Sequence, residues 1–224
     1  MKRIAVYGGT FDPVHLGHLA IAQKLLQVFS LDEVLFIPAH VAPHKRERSV
    51  TPALHRYAML ALATAGDARL RISSIELDAP ERPYTVDTLS RLQALMNESA
   101  RLFFVMGADS WAEITTWRQW ERVLSLTDQI VVTRPRYDLS VAHVTEAIRE
   151  RVIDLRELEP QEVSQKIEEG GTPRIYVTDA VMMDVSATMV RRAARENRGD
   201  ELKGLLPPPV ADYIEKYRLY RDQA

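Results

Sequence analysis

The sequence predicts an α/β fold: an open parallel sheet with helices on both faces and a helical C-terminal region. Three observations predict it. Short apolar runs alternate with amphipathic helical stretches, the pattern of repeated βαβ units. The first apolar run ends in Gly8-Gly9 and leads straight into a helix, the kind of junction at which parallel sheets bind ligands. The 224-residue chain is 46% hydrophobic and 27% charged, enough to bury a core without a disulfide, a metal or a partner.

Ile4 to Tyr7 is a compact apolar run closed by Gly8-Gly9, a buried strand feeding a tight loop. Leu16, Leu19, Ala20, Leu25, Leu26 and Phe29 recur at helical spacing and place an amphipathic helix over Gly17 to Phe29. Val34 to Ile37 repeats the strand pattern up to Pro38. Ala39 to Val50 carries the basic run His44-Lys45-Arg46 without an apolar period, and reads as a loop. Thr51-Pro52 reads as a helix start, with Thr capping and Pro in the first turn, continuing through Met59 and Leu62 to Ala65. Strands are expected again at Leu70 to Ser73, Leu102 to Met106, Ile130 to Thr133 and Ile175 to Thr178. Helices are expected over Val86 to Met96, Trp117 to Leu124, Ser140 to Arg151 and Thr188 to Asn197, the last begun by Ser186. Pro207 to Pro209 stops the chain before a final helix, Val210 to Tyr220. The alternation makes the sheet Rossmann-like. No linker, repeat or low-complexity tract interrupts it, so one domain is expected over residues 1–224.

Composition narrows the chemistry. A formal net charge of −2 argues against a nucleic-acid or membrane-surface binder, which usually carries a basic excess. The absence of cysteine removes thiol nucleophiles, Cys-ligated zinc, iron-sulfur clusters and disulfides. Met1 to Tyr7 is too short for a signal-peptide core or a membrane span, and a cytoplasmic protein is expected. Three of the nine glycines lie in the first seventeen positions, and four of the six histidines (His15, His18, His40, His44) in the first 44. Two special residue types therefore converge on one short region.

That region contains Gly8-Gly9-Thr10-Phe11-Asp12-Pro13-Val14-His15-Leu16-Gly17-His18. Adjacent glycines let a phosphate approach backbone N–H groups, and a helix N-terminus adds a dipole favourable to anions. His15 and His18 project from one face of the first turn toward the same phosphate, with Gly17 leaving no side chain between them. Read alone, the glycines suit a plain turn and the histidine pair suits a surface, a core or a metal; a tetrahedral metal site would need further ligands, and no metal is expected. The spacing is that of neither the dinucleotide fingerprint nor the P-loop.

The segment resembles the G-G-T-F-D-P-x-H-x-G-H signature of the nucleotidyltransferase superfamily, whose H-x-G-H element binds a nucleoside triphosphate. Within it the chain is similar to the nicotinate-nucleotide adenylyltransferase family along most of its length. The matching segments are Ala42-Pro43-His44-Lys45, Arg82 to Leu89, Met106-Gly107-Ala108-Asp109-Ser110 with Trp117, Thr133-Arg134-Pro135, and the closing Leu-Pro to Leu-Tyr region. The family's I-S-S-T-x-I-R element appears as Val185 to Arg191, with Ala187 in place of the second serine. The acidic stretch Glu157 to Glu169 matches nothing transferable.

The resemblance implies transfer of the adenylyl group of ATP to nicotinate mononucleotide, with release of pyrophosphate and without a covalent enzyme intermediate. It implies catalytic roles for His15, His18, Lys45 and Arg191. ATP contacts are implied for these histidines and Arg191, for Gly8, Gly9, Thr10 and Phe11, for Gly107, Asp109 and Arg134, and for Ser186 and Thr188. Asp109 is expected to cap a helix as well as to contact a ribose hydroxyl. The nicotinate nucleotide is expected against Thr10, His44, Lys45, Tyr84, Thr85 and Trp117, while Trp120 is expected in the core. Mg²⁺ is expected to be carried mainly by ATP and water. No nucleic-acid or membrane partner is expected, and monomer and homo-oligomer both stay open. The rivals are nicotinamide mononucleotide or phosphopantetheine as acceptor, cytidylyl transfer, a nucleotide sensor without turnover, and a tRNA-synthetase fragment. The last would need a tRNA-reading region and a basic face that the chain lacks.

Overall fold

In a computed structural model, residues 1–40, 50–96, 99–134, 138–168, 171–179, 183 and 185–221 are described. The strands are β1 (Lys2–Gly9), β2 (Glu33–Pro38), β3 (Leu70–Ile72), β4 (Ala100–Gly107), β5 (Asp128–Thr133), β6 (Val152–Asp154) and β7 (Ile175–Asp179). They form a sheet in the order β3-β2-β1-β4-β5-β7-β6, and the β1·β4, β4·β5, β5·β7 and β6·β7 pairs run parallel. The expected α/β, Rossmann-like architecture is the one observed. Strand order reverses between β1 and β4, whose carboxyl ends are Gly8-Gly9 and Gly107. Ligands bind at such a switch in open sheets.

The helices are α1 (Leu16–Val28), α2 (Ala53–Thr64), α3 (Thr85–Met96), α4 (Ala108–Ala112), α5 (Trp120–Leu126), α6 (Glu146–Arg149), α7 (Pro160–Glu168), α8 (Ala187–Arg195), α9 (Gly199–Leu205) and α10 (Pro208–Lys216). Among the described residues, no helix is long and apolar enough to cross a membrane.

Residue proximity divides the chain into two compact units. The first comprises Met1–Gly8, Lys24–Leu35 and Pro83–Met182. Its centre is Leu102 to Met106, Ile130 to Val132 and Ile175 to Val177, all buried, the continuous apolar runs of parallel strands covered on both faces. The Phe29 ring meets Phe103 and Tyr176 edge-on at 5.8 and 5.6 Å. At the start of β4, Arg101 Nε donates to Asp128 at 2.7 Å and Nη2 to the Tyr176 hydroxyl at 3.2 Å, so this buried pair is also hydrogen-bonded as a buried charge requires.

The second unit comprises Gly9–Gln23, Phe36–Arg82 and Met183–Ala224. Phe11, Val14, Phe36, Met59, Leu60, Val190, Val210 and Ile214 are among its buried apolar residues, contributed by β2, α2, α8, α10 and the turn after β1.

Several expected elements are corrected. The Ser140 to Arg151 helix shrinks to α6 because Trp111 Nε1 donates to the Ser140 carbonyl at 2.9 Å and the His143 ring bonds the Trp111 carbonyl at 2.9 Å. Both contacts hold the preceding chain in turns. The Trp117 to Leu124 helix begins only at Trp120, since Trp117 is extended (ψ 145°) and Gln119 is left-handed (φ 50°). Trp120 is half-buried rather than core, and the fully buried tryptophan is Trp111. Thr51 does not cap α2: Pro52 occupies that position without a side-chain cap. Asp109 likewise lies inside the first turn of α4, which Gly107 caps. Pro208 and Pro209 begin α10 rather than precede it, as prolines can where helix N–H groups have no intrahelical partner.

Candidate active site

The turn after β1 is built around Phe11. Its backbone is left-handed (φ 47°), the Asp12-Pro13 peptide is cis, and its ring is buried. A Cβ on Gly9 would come within 3.0 Å of that ring, so Gly9 makes room for Phe11. A Cβ on Gly8 would meet Phe104 at an ordinary 3.7 Å. Phe11 meets His18 edge-on at 5.0 Å and Phe36 at 5.6 Å. The aromatic ring thus links the strand end to the first turn of α1.

His15 and His18 are brought together as the motif requires. Their rings stack at 3.7 Å, and the His15 backbone N–H donates to His18 Nδ1 at 3.2 Å. An accepting Nδ1 puts the His18 proton on Nε2, which becomes a donor. His15 is only 8% exposed, and burial pushes its imidazole down from 6.5 to about 4. It is therefore neutral at pH 7, and its Nδ1 has no hydrogen-bond partner among the described residues. Gly17 is needed at this point because a Cβ there would lie 2.9 Å from Val185 Cγ1 and 3.1 Å from His15 Nδ1.

Val185 leads into α8, which supplies the late motif. Ser186 caps this helix, its hydroxyl accepting from the Met189 N–H at 3.2 Å. Arg191 Nη1 donates to the Asp12 carbonyl at 2.6 Å and Nη2 to Thr188 Oγ1 at 3.1 Å. Gly9, Thr10, Phe11, His15, His18, Ser186, Thr188 and Arg191 consequently belong to one cluster in the second unit. The guanidinium has donors left over for an anion beyond those two bonds.

Sequence reasoning missed the residues that hold this cluster. Arg56, on α2, is 1% exposed. Its Nε donates to the Thr51 carbonyl (2.9 Å), Nη1 to Thr10 (2.7 Å) and Nη2 to His40 (3.2 Å), so one side chain ties together three loop segments. Burial lowers its basicity, and the Asp12 carboxylate opposes that shift. Asp12 accepts from the Thr51 N–H and from the Tyr220 hydroxyl. A charged residue on an otherwise apolar helix face was the only available signal for Arg56; none pointed to Tyr220 as a partner of Asp12.

A separate cluster lies in the first unit. Tyr84 precedes α3, its N–H donating to Asp87 at 3.0 Å, and Thr85 is the first residue of that helix, where N–H groups have no intrahelical partner. Arg118 lies over the Tyr84 ring at 4.7 Å, an unforeseen cation beside Trp117, whose ring meets Phe104 edge-on at 6.3 Å. Gly107 and Asp109 lie at the carboxyl end of β4 and exposed Arg134 just after neighbouring β5. A Cβ on Gly107 would meet nothing, so no steric need for glycine is evident there. His44 and Lys45 lie outside the described residues. Among the described residues, no group of three or more His, Asp or Glu side chains could hold a metal ion.

The cytidylyltransferase-like family matches over residues 6–193. A protein of Desulfatibacillum aliphaticivorans named "Probable nicotinate-nucleotide adenylyltransferase" is 38% identical over 221 residues, covering 97% of this chain and 99% of its own. One of the same name from Symbiobacterium thermophilum is 38% identical over 220 residues, covering 98% and 96%. The solved structure of Plasmodium falciparum nicotinic acid mononucleotide adenylyltransferase complexed with NaAD superposes with a TM-score of 0.72 over 98% of both chains, a likeness of fold at 20% identity. The chain belongs to the cytidylyltransferase-like nucleotidyltransferases, within the nicotinate-nucleotide adenylyltransferase family.

Proposed function

We propose that this enzyme transfers the adenylyl group of ATP to nicotinate mononucleotide, giving nicotinate adenine dinucleotide and pyrophosphate in NAD biosynthesis. The observation that carries the reading is the stacked His15–His18 pair beside the Arg191-bound turn. It is supported by the names of relatives aligned end to end with the chain and by fold neighbours complexed with NaAD and with APC.

In this mechanism an oxygen of the acceptor's 5′-phosphate attacks the α-phosphorus of ATP, a new P–O bond forms, and the bond to the β-phosphate breaks in line. The acceptor phosphate is ionised at neutral pH, so no general base is required and catalysis reduces to positioning and charge stabilisation. His18 Nε2, the Arg191 guanidinium, Lys45 and the Gly9-Thr10 backbone donate to the triphosphate, while neutral His15 supplies a hydrogen bond without a charge. Ser186 and Thr188 complete that set; Gly8, Phe11, Gly107, Asp109 and Arg134 line the nucleotide. Thr10, His44, Lys45, Tyr84, Thr85 and Trp117 hold the acceptor, with Trp117 stacking on its cationic ring and the start of α3 offering N–H donors to its carboxylate. Mg²⁺ carried on the phosphates of ATP would neutralise part of their charge. A cytoplasmic location is part of the same reading: both substrates are charged phosphates, and the chain has no cysteine.

Pyrophosphate release on mixing the protein with ATP and each candidate acceptor tests the proposal. The nicotinate nucleotide is expected to exceed its amide counterpart by at least about 10²-fold in kcat/KM, because a carboxamide turns N–H groups toward donors. His18→Ala is expected to lower kcat by about 10²- to 10³-fold. Release with phosphopantetheine alone, or full turnover without His18, would refute the assignment.

A further inference from the structure

We propose that Tyr220 is a positioning residue for the nucleotide-binding turn, its hydroxyl fixing the buried Asp12 carboxylate from 208 residues away in the chain. The proposal rests on the ATP site argued above and adds a component to it. Tyr220 Oη donates to Asp12 Oδ1 at 2.9 Å, the Thr51 N–H donates to Oδ2 at 3.3 Å, and Arg191 donates to the Asp12 carbonyl at 2.6 Å. Asp12 is 9% exposed, so water cannot readily replace a lost donor and the carboxylate would move to find another. It lies in the middle of the segment that joins Gly9 to His15, and Arg191 itself leans on its carbonyl. A shift at Asp12 is therefore transmitted to the guanidinium and to the histidine pair together.

The backbone points the same way. After α10 ends, Arg218 (φ 50°) and Tyr220 (φ 64°) both take left-handed conformations that a bulky aromatic residue rarely adopts. Such a conformation persists where its surroundings over-determine it, and the bond to Asp12 supplies that constraint. Burial and the neighbouring carboxylate raise the Tyr220 pKa, which keeps the hydroxyl protonated and donating over the working pH range. A tyrosine that served packing alone would not need its oxygen on this carboxylate.

The test compares two full-length single-hydroxyl deletions, Tyr220→Phe and Tyr213→Phe. The second removes a bond of the same length to the His55 ring on α2 and serves as the structural control. For each variant, thermal unfolding, amide hydrogen exchange over residues 9–18, ATP binding by titration, and kcat and KM for both substrates are measured. Tyr220→Phe is expected to speed exchange in that segment and to lower kcat or ATP affinity about tenfold or more, with the acceptor KM close to wild type and the unfolding temperature lowered by several degrees, as loss of a donor to a buried carboxylate requires. Tyr213→Phe is expected to leave exchange and kinetics unchanged. Wild-type exchange and nucleotide affinity in Tyr220→Phe, or a fall in unfolding temperature with both unaltered, would overturn the proposal. If the wild-type protein releases no pyrophosphate, the functional reading falls instead, and exchange and ATP titration still decide the role of Tyr220.

Discussion

His15 is held neutral by burial, and that has a thermodynamic cost on acidification. Its imidazole titrates at about 4 in the folded protein and near 6.5 when unfolded. Between those values the unfolded chain binds more protons, so stability is fully present above about pH 6.5 and falls as pH drops toward 4. The full difference amounts to about 3 kcal/mol. Denaturant unfolding at pH 4 to 8 should show this slope in wild type, and His15→Asn should flatten it; an unchanged slope would mean that other groups cause it. The pH dependence of kcat/KM should likewise lack an ionisation near 6.5 from His15. At this scale the histidines were legible because their spacing carries the signal. Arg56 was not: in sequence it is a cation between His55 and Tyr57, and only folding brings the Thr10, His40 and Thr51 carbonyls to one guanidinium.

Between elements, α1 comes close to the chain entering α8 at Gly17. Alanine ordinarily gains about 1 kcal/mol over glycine inside a helix, yet at Gly17 it meets Val185 at 2.9 Å and His15 at 3.1 Å. Overpacking of this kind costs about 1–3 kcal/mol, so Gly17→Ala is expected to lose stability and activity together. Gly66→Ala, where a Cβ meets nothing within 4 Å, is expected to be neutral or slightly stabilising in the same denaturation assay. Legibility of the elements followed the strength of their apolar pattern. The central strands were plain because each carries a continuous apolar run, Ile4 to Val6, Leu102 to Met106 and Ile130 to Val132. Helix α7 was hidden because only Val163 and Ile167 are buried among its polar residues, and three-residue β6 was hidden because Val152 to Asp154 is too short to carry an alternating pattern.

For the molecule as a whole, the two units are interleaved rather than consecutive: the chain passes between them after residues 8, 23, 35, 82 and 182. No run of sequence marks these crossings, which is why the sequence reads as one domain. The cluster proposed to bind phosphate and the Tyr84–Trp117 cluster fall in different units, and their kinetic effects should separate accordingly. Trp117→Ala is expected to raise the acceptor KM by about 3- to 30-fold, the range of one lost cation–π stack, while ATP KM holds; Arg191→Ala is expected to do the reverse. Steady-state kinetics with each substrate varied in turn checks this, and equal effects on both KM values would count against the division. The bond between Asp12 and Tyr220 also sets an order of events during synthesis. At about 5–20 residues per second, the turn near the start of the chain waits roughly 10–40 seconds for its tyrosine to be translated. That turn is thus completed only after the 208 residues that separate its two partners have been made, and the nucleotide grip proposed for it is finished late in the folding of the chain.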